Sequence, residues 1–197
     1  MIHPDTELRY VNADIGYGVF ATRAIPLGTI TWVRDELDQT LSPSRVGAIE
    51  GPLRDIVERY CYVDNRGDHV LCWDLARYMN HACEANCMSP GYGFEIAVRD
   101  IAAGDELTDD YGTLNIDASF ACRCKAPRCR REIRPDDILR YGDQWDALIA
   151  AAFARLTHVR QPLLPLVRDD VALRRALARE APIASCREHY LGRRTSL

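Results

Sequence analysis

Three cysteines, Cys122, Cys124 and Cys129, stand within one short segment at a spacing that suits a metal ion. The segment is rich in arginine and has almost no apolar side chains that could hold it folded. Thiolates are the soft ligands that a structural zinc ion prefers, and such an ion takes four ligands. The fourth ligand must therefore come from elsewhere in the chain. Cys83 is the candidate and Cys87 is the rival, and the sequence leaves that choice open.

Three further motifs contain residues that could bind a ligand or assist a reaction. They are Gly16-Tyr17-Gly18, the segment RYMNHAC at 77–83 and the segment GDELTDDY at 104–111. Taken alone, each has an ordinary structural explanation: a hairpin turn, a histidine in the core, and a buried tyrosine after a strand. The glycine loop has a second explanation, because a loop without Cβ atoms lets a ligand lie against its main chain.

Together, the order and spacing of these motifs resemble those of the SET-domain protein lysine methyltransferases. The resemblance covers about residues 8–135, and the chain looks like the short stand-alone SET proteins of bacteria. It implies a fold of small curved sheets with a C-terminal pseudoknot, which is a rare exception to unthreaded topology. It also implies a post-SET zinc element, with Cys83 as the fourth ligand beside Cys122, Cys124 and Cys129.

The resemblance further implies S-adenosyl-L-methionine as cofactor and a lysine of a protein or peptide as the methyl acceptor. In the family, the glycine loop cups the methionine part, the Asn amide contacts the amino-acid end, and the His backbone contacts the adenine. The matching cofactor-binding positions are Gly16, Tyr17, Gly18, Arg77, Asn80, His81, Tyr111 and Phe120. Tyr111 matches the catalytic tyrosine, and Tyr60 is the candidate for a second wall of the lysine channel unless it ends the preceding helix.

The chemistry explains why a tyrosine in an apolar channel is useful. A free lysine has a pKa near 10.4, so exposing its neutral amine at pH 7 costs about 4.6 kcal/mol. An apolar aromatic channel disfavours the ammonium and lowers that cost. The hydroxyl of Tyr111 and nearby carbonyl oxygens can then align the amine for the transfer.

Three positions depart from the family pattern. Ala82 stands where Ser is usual, Ala85 stands where Pro is usual, and Asp109 stands where an aromatic residue helps to set the number of methyl groups. Asp109 either changes the size and polarity of the channel or points to solvent. The departures keep two alternatives open: a catalytically silent SET module that binds a protein or peptide, and a zinc-bearing interaction module without methyl chemistry.

The elements that position these motifs indicate a β-rich α+β fold. Short strands separated by Gly and Pro fill much of the first half, and Gly51-Pro52 opens a helix with an apolar stripe. The predicted division is a SET domain over 8–113, a zinc-binding segment over 114–135 and a helical extension over 136–197. The stripes are Leu53, Ile56, Val57 and Tyr60 in the first helix, and Trp145, Leu148, Ile149, Ala152, Phe153 and Leu156 in the extension. Asp169 is predicted to cap a further helix, and the extension is expected to pack on the domain or to serve a dimer.

Composition excludes few functions but narrows the setting. The net charge of −4 implies no basic face for nucleic acid, and no apolar run approaches the roughly 20 residues of a membrane span. The first residues do not look like a signal peptide, and the eight cysteines fit a reducing compartment, so we expect a cytoplasmic protein. Lys125 is the single lysine among 25 basic residues. The sequence leaves the identity of the substrate and the oligomeric state open.

Overall fold

Short strands and tight turns fill most of the chain before residue 136, and a long helix follows them. The computed structural model describes residues 1–168 and 170–194, the last two as backbone only, and shows a mixed α+β fold. Its strands are β1 (Thr6–Asn12), β2 (Gly16–Ala21), β3 (Ile30–Val33), β4 (Gln39–Leu41), β5 (Cys61–Val63), β6 (His69–Leu71), β7 (Asn80–His81), β8 (Cys87–Met88), β9 (Phe94–Ala97), β10 (Glu106–Asp109), β11 (Phe120–Ala121) and β12 (Glu132–Ile133). Its α-helices are α1 (Pro43–Gly47), α2 (Pro52–Tyr60), α3 (Asp137–Leu156) and α4 (Val171–Leu177).

The described strands form four small sheets, and β10 lies at the centre of the sheet that matters most for the site. The strand orders are β1-β2-β10-β7, β3-β9-β8, β4-β6-β5 and β11-β12. Strand β10 is antiparallel to β2 and parallel to β7, where Asp109 pairs with His81. This arrangement brings the glycine loop, the Asn-His pair and the segment before Tyr111 side by side. The pairing of β7 with β10 is the local part of the expected pseudoknot, and the threading itself stays a prediction.

One asparagine fastens the Asn-His motif to β10. The amide nitrogen of Asn86 donates to the Glu106 carbonyl at 2.8 Å, and its amide oxygen accepts from the Thr108 N–H at 2.9 Å. The side chain thereby supplies a donor and an acceptor to backbone groups of β10. The segment carrying His81 and Cys83 is fixed next to the strand that leads to Tyr111.

The helical extension packs on the domain, as the sequence predicted. One face of α3, with Trp145, Ile149, Ala152, Phe153 and Leu156, lies in a core shared with strands β3 and β9. Helix α4 begins at Val171 and is capped by the carboxylate of Asp170, whereas the predicted cap Asp169 lies outside the described residues. None of the described helices is long and apolar enough to span a membrane.

The predicted stripe of α2 is wrong for three of its four positions. Val57 is buried, but Leu53 and Ile56 are 64% and 42% exposed and Tyr60 is half-buried. The helix starts where predicted, with Pro52 in its first turn. In the described part of the chain it packs against β5 and β6 of a three-stranded sheet, which leave most of its apolar stripe uncovered. Helix α2 therefore stands at the edge of a cavity rather than on a core.

Candidate active site

A cavity of about 700 Å³ opens beside α2 and reaches the end of β10. This volume is typical of a pocket for a small molecule or a long side chain. Its walls are aromatic and aliphatic toward the interior, and they include Trp32, Tyr60, Tyr62, Met79 and Tyr111. The cavity therefore brings together the two tyrosines that the sequence predicted for the reaction, Tyr60 and Tyr111.

Tyr111 begins a short 3₁₀ turn directly after β10, and its side chain enters the cavity. The hydroxyl donates a hydrogen bond to the Met79 carbonyl at 2.7 Å. Burial raises the pKa of Tyr111, and the neighbouring carboxyl groups of Asp109 and Glu106 raise it further. The phenol is consequently neutral at physiological pH and serves as a hydrogen-bond donor.

Aromatic rings meet edge to face along the cavity and around the glycine loop. Tyr78 contacts Tyr60 at 5.3 Å between ring centroids and Tyr17 at 6.2 Å, while Trp32 contacts Tyr62 at 6.2 Å. Tyr60 is the last residue of α2, so it both ends the helix and lines the cavity. Such edge-to-face contacts fix the rings without filling the space between them.

The glycine loop lies directly against the Asn-His strand. The Asn80 amide nitrogen donates to the Tyr17 carbonyl at 3.0 Å and to a carboxylate oxygen of Glu106 at 2.7 Å. A Cβ atom on Gly18 would clash with that Glu106 oxygen and would stand 2.9 Å from the Asn80 nitrogen. Gly16 has φ of +86°, a conformation that side chains rarely adopt. Both glycines are therefore required by the local geometry.

Arg77 offers an unpaired donor near the same loop. Its Nε atom is buried and has no hydrogen-bond partner among the described residues, and its guanidinium lies over the ring of Tyr78 at 5.3 Å. A buried cationic donor without a partner suits an anionic ligand group such as a carboxylate. Phe120 is 40% exposed and meets Tyr111 edge to face at 6.5 Å, so its ring is free to cover a bound ligand. These positions fit the amino-acid part and the adenine of S-adenosylmethionine.

His81 connects the tyrosine to the cysteine cluster. Its Nδ1 atom accepts a hydrogen bond from the Tyr111 N–H at 3.1 Å. Burial lowers the pKa of His81 to about 4, and the charge of Arg130 acts in the same direction. The ring is therefore neutral and carries its proton on Nε2, which lies 3.4 Å from the Cys83 sulfur. With that tautomer, His81 donates to the thiol and has no lone pair left for a metal.

Three of the four predicted cysteine ligands come together around this histidine, and the fourth, Cys129, is not in that close group. The ligand atoms of His81, Cys83, Cys122 and Cys124 all lie within 4.8 Å of one another, with Cys83 and Cys122 at 3.6 Å. The Cys129 thiol interacts with the thiols of Cys122 and Cys124. The rival ligand, Cys87, lies elsewhere: it is fully buried on β8 within the core around β2 and β10.

Backbone N–H groups surround the sulfurs of the cysteine cluster, but only Cys124 ionises more easily than a free thiol, because burial raises the pKa of Cys83 to about 11 and also raises that of Cys122. Backbone N–H groups of Arg130, Cys83 and Arg131 point at the sulfurs of Cys83, Cys124 and Cys129 at 3.3 to 3.5 Å. Burial raises the pKa of the Cys124 thiol, but backbone N–H groups and the neighbouring thiols outweigh it and lower the pKa to about 7. Close thiols with N–H donors on the sulfurs match the ligand chemistry of a structural zinc ion.

Asp109 is buried at the inner end of the cavity, so the alternative that it points to solvent is wrong. It is 4% exposed, and its carboxyl group meets that of Glu95 on β9, which is 8% exposed. Burial raises the pKa of Asp109 to about 7, and the neighbouring charge of Asp110 adds to the rise. Burial and the charge of Asp109 raise the pKa of Glu95 well above its usual value. Sequence reasoning missed Glu95, because a single acidic residue in an apolar strand gave no sign of its partner.

A buried ion pair ties the cysteine segment to the tyrosine, and sequence reasoning missed it as well. The Arg130 guanidinium donates to the Asp110 carboxylate at 2.6 Å, and the two side chains are 10% and 0% exposed. Arg130 also lies 4.9 Å above the ring of Tyr141 and 5.6 Å above that of Trp145, both on α3. The residue after Cys129 is therefore anchored both to the residue before Tyr111 and to the helical extension.

Comparison with known proteins agrees with this arrangement. The family model of the SET domain matches residues 16–112. Histone-lysine N-methyltransferase EHMT1 of Mus musculus is 30% identical over 142 residues, which are 61% of this chain and 10% of that protein. Histone-lysine N-methyltransferase ATX2 of Arabidopsis thaliana is 33% identical over 105 residues, 50% of this chain and 9% of that protein. Histone-lysine N-methyltransferase 2B of Homo sapiens is 41% identical over 73 residues, 32% of this chain and 3% of that protein.

The match falls on the segment that builds the site. Residues 16–112 begin at the glycine loop and end just after Tyr111, so they include every predicted reaction and cofactor position except Phe120. The chain spans a tenth or less of the length of these three curated relatives. The chain contains a SET domain and is distantly related to the histone-lysine N-methyltransferases.

Proposed function

We propose that this protein transfers a methyl group from S-adenosylmethionine to the ε-amine of a lysine in a protein or peptide. The observation that carries the proposal is the hydrogen bond from the Tyr111 hydroxyl to the Met79 carbonyl at 2.7 Å, at the inner part of an aromatic cavity. It places a hydroxyl and a carbonyl oxygen together beside the strand that begins with Asn80. Such a pair can orient an amine and hold a methyl group through weak C–H···O contacts.

The cavity walls prepare the amine. Tyr60, Tyr62 and Trp32 replace water around an entering lysine side chain, which makes loss of the ammonium proton easier. The neutral phenol of Tyr111 can then orient the amine by hydrogen bonding, without forming an ion pair that would favour the ammonium. Catalysis of this kind relies on placement and desolvation, with no covalent link to the protein.

The glycine loop and the RYMNH segment would hold the cofactor. S-adenosylmethionine, when bound, supplies the methyl group. Arg77 supplies the unpaired buried donor for its carboxylate, Asn80 and the loop at Gly18 supply the cradle, and Phe120 supplies a ring that can cover the adenine.

We further propose that Cys83, Cys122, Cys124 and Cys129 hold one structural zinc ion. His81 belongs to the close group of ligand atoms, but the hydrogen bond from the Tyr111 N–H to its Nδ1 favours a proton on Nε2 and so supports Cys129 as the fourth ligand. Four thiolates complete a tetrahedral site, and the binding energy would order residues 114–135 over the active site. The segment then corresponds to a post-SET element.

The test is methyl incorporation from labelled S-adenosylmethionine into a histone mixture and a protein lysate. Wild type is compared with Tyr111→Phe, which loses only the hydroxyl, and with Tyr10→Phe, an exposed tyrosine outside the cavity. We expect label on lysine with wild type and the control, and a loss of about 100-fold or more with Tyr111→Phe because the amine is no longer aligned. The chain has a single lysine of its own, Lys125, so self-labelling is recognised by mass spectrometry of one peptide.

A second candidate is a silent module that binds a protein or peptide, and the buried acid at Asp109 favours it because the family usually has an aromatic residue there. Cofactor binding measured by calorimetry separates the two. Binding without label from wild type in both mixtures would support the silent module, and equal labelling by wild type and Tyr111→Phe would refute the assigned role of the hydroxyl.

A further inference from the structure

Two carboxyl groups meet at the inner end of the cavity. Glu95 comes from β9 and Asp109 from the end of β10, and both line the cavity together with Trp32 and Tyr111. Their side chains hydrogen-bond to each other, which requires that one of them carries a proton. The pair therefore bears at most one negative charge when the cavity is empty.

The acid pair has few partners in the protein. Asp109 accepts one hydrogen bond, from the Asp110 N–H at 2.7 Å. The Oε2 atom of Glu95 is buried, and among the described residues no N–H or O–H group donates to it. The indole Nε1 of Trp32 is also buried and has no hydrogen-bond partner among the described residues. The charge of the N-terminal ammonium lowers the pKa of Glu95, but within the described part of the chain no arginine, lysine or histidine is among the groups that act on either carboxyl.

Such an arrangement costs folding free energy unless something else pairs with it. Buried acceptors are nearly always hydrogen-bonded, and buried charges are paired. Glu95 is 8% exposed, and its side chain is part of the wall of a cavity that is open to the surface. The missing partner is therefore a ligand group that enters the cavity and donates a hydrogen bond, and the N–H group of an amine is such a donor.

The position of the pair fits the reacting end of such a ligand. Asp109 is two residues before Tyr111, and its charge is the strongest influence on that hydroxyl after burial. An amine that is aligned by the Tyr111 hydroxyl and the Met79 carbonyl would stand next to the pair. The walls at Tyr62 and Trp32 would enclose its alkyl chain.

We propose that Glu95 and Asp109 form an acidic floor of the lysine channel, which accepts N–H hydrogen bonds from the target amine and so selects for amines that still carry hydrogen. This inference rests on the proposed methyl transfer to lysine. A neutral lysine amine has two N–H groups, a monomethylated one has one, and a dimethylated one has none. The floor therefore favours the first and second transfers and disfavours the third.

An aromatic channel without acids would have the opposite preference. Rings attract a quaternary ammonium through cation–π contacts and have no use for an N–H group. The order of affinity for amines with zero to three methyl groups therefore shows whether hydrogen bonds to the acids or cation–π contacts with the rings dominate binding. The series can be measured without knowing the protein substrate.

The first measurement is an NMR titration of the whole protein with n-butylammonium and its mono-, di- and trimethylated derivatives. We expect the affinity of wild type to fall with methylation, by about tenfold or more from butylammonium to the trimethyl form, as lost hydrogen bonds to a charged group require. Glu95→Gln and Asp109→Asn keep the shape but lose the charge, and both should lose most of this preference. Glu50→Gln, an exposed residue outside the cavity, is the matched control and should keep it.

A trimethyl form that binds wild type as tightly as butylammonium would overturn the inference, and this result does not depend on any variant. Retention of the preference by both variants would overturn it as well. The second measurement is the mass-spectrometric distribution of methyl states on labelled histones, where wild type should give mono- and dimethyllysine and the variants should shift toward trimethyllysine.

The two proposals can fail separately. Labelling by wild type without any N–H preference would leave methyl transfer standing and remove the acidic floor. An N–H preference without labelling would support the floor as a cation subsite and remove the proposed reaction.

Discussion

Replacing Arg130 by methionine should lower the free energy of unfolding more than replacing an exposed residue does, because the substitution leaves the buried Asp110 carboxylate without its partner. Asp110 is 0% exposed and accepts a 2.6 Å hydrogen bond from Arg130. Removing one partner of such a pair costs about 3–5 kcal/mol, and the loss of the cation–π contacts with Tyr141 and Trp145 adds about 0.5–2 kcal/mol. Methionine keeps the apolar stem, so the loss reports the guanidinium.

The size of this effect is large for a domain of this length. Total stabilities are about 5–15 kcal/mol, so the variant gives up a large fraction of the whole. For 150–250 residues, each kcal/mol shifts the melting temperature by about 2–4 °C, so a total loss of about 3.5–7 kcal/mol predicts a fall of about 7–28 °C. Urea denaturation of the zinc-loaded protein, followed by tryptophan fluorescence, measures the free energy of unfolding directly.

The effect should depend on pH in a defined direction. Burial raises the pKa of Asp110, while the hydrogen bond and charge of Arg130 lower it, so the pKa rises further in Arg130→Met. A carboxyl whose pKa in the folded state is above the unfolded value contributes stability below the unfolded pKa and loses it as pH rises through the folded pKa. The cost of Arg130→Met should therefore be greater at pH 8 than at pH 6.

A second substitution tests the cause. Asp110→Asn removes the charge stranded at Asp110 and keeps the oxygen that accepts from the Gly112 N–H, so the double variant should recover part of the loss. The recovery is not complete, because the buried Asp137 carboxylate, 3.6 Å from Arg130, also loses its partner. Arg128→Met is the matched control, because Arg128 is 84% exposed and pairs only with Glu84 at the surface, and it should change nothing measurable. A loss below about 1 kcal/mol at pH 8, or a double variant as unstable as the single one, would refute the reasoning.

Two further predictions concern the zinc segment and the glycine loop. Cys122→Ser should lose the single bound zinc, which atomic absorption measures, and most of the methyl transfer. The control Cys61→Ser lies outside the cluster and should keep one zinc per chain. Equal zinc in both variants would contradict the ligand set. Gly18→Ala should weaken cofactor binding in calorimetry by about tenfold or more, because its Cβ would displace Glu106 from the loop. The control Gly47→Ala adds a Cβ that meets nothing within 4 Å and should bind the cofactor as wild type does. Unchanged binding in Gly18→Ala would mean that the loop does not cradle the cofactor.

The sequence by itself predicted the parts of the site that depend on local spacing. The C-x-C-x4-C run, the Asn-His pair and the tyrosine after GDELTDD are each read within a few residues, because ligand and turn geometry fix such spacings. The start of α2 at Pro52 and the buried face of α3 were also predicted, since a proline in the first turn and a long regular stripe are local signals.

Only the tertiary structure decided which distant residues meet. Cys83 rather than Cys87 joins the cluster because Cys87 lies in strand β8 and packs into the core, while Cys83 follows β7 in a turn that faces the cysteine segment. The exposed stripe of α2 has the same origin, since periodicity shows that a face is apolar but not whether a layer wide enough to cover it lies beneath.

The acid pair is the clearest example of a contact that the sequence does not reveal. Glu95 and Asp109 belong to different sheets, and each alone resembles an isolated charge in a strand. Their carboxyl groups meet because β9 and β10 approach the inner end of one cavity from two sides. The spacing of residues along a chain carries no information about such an approach, because it is set by packing between sheets rather than by the period of either strand.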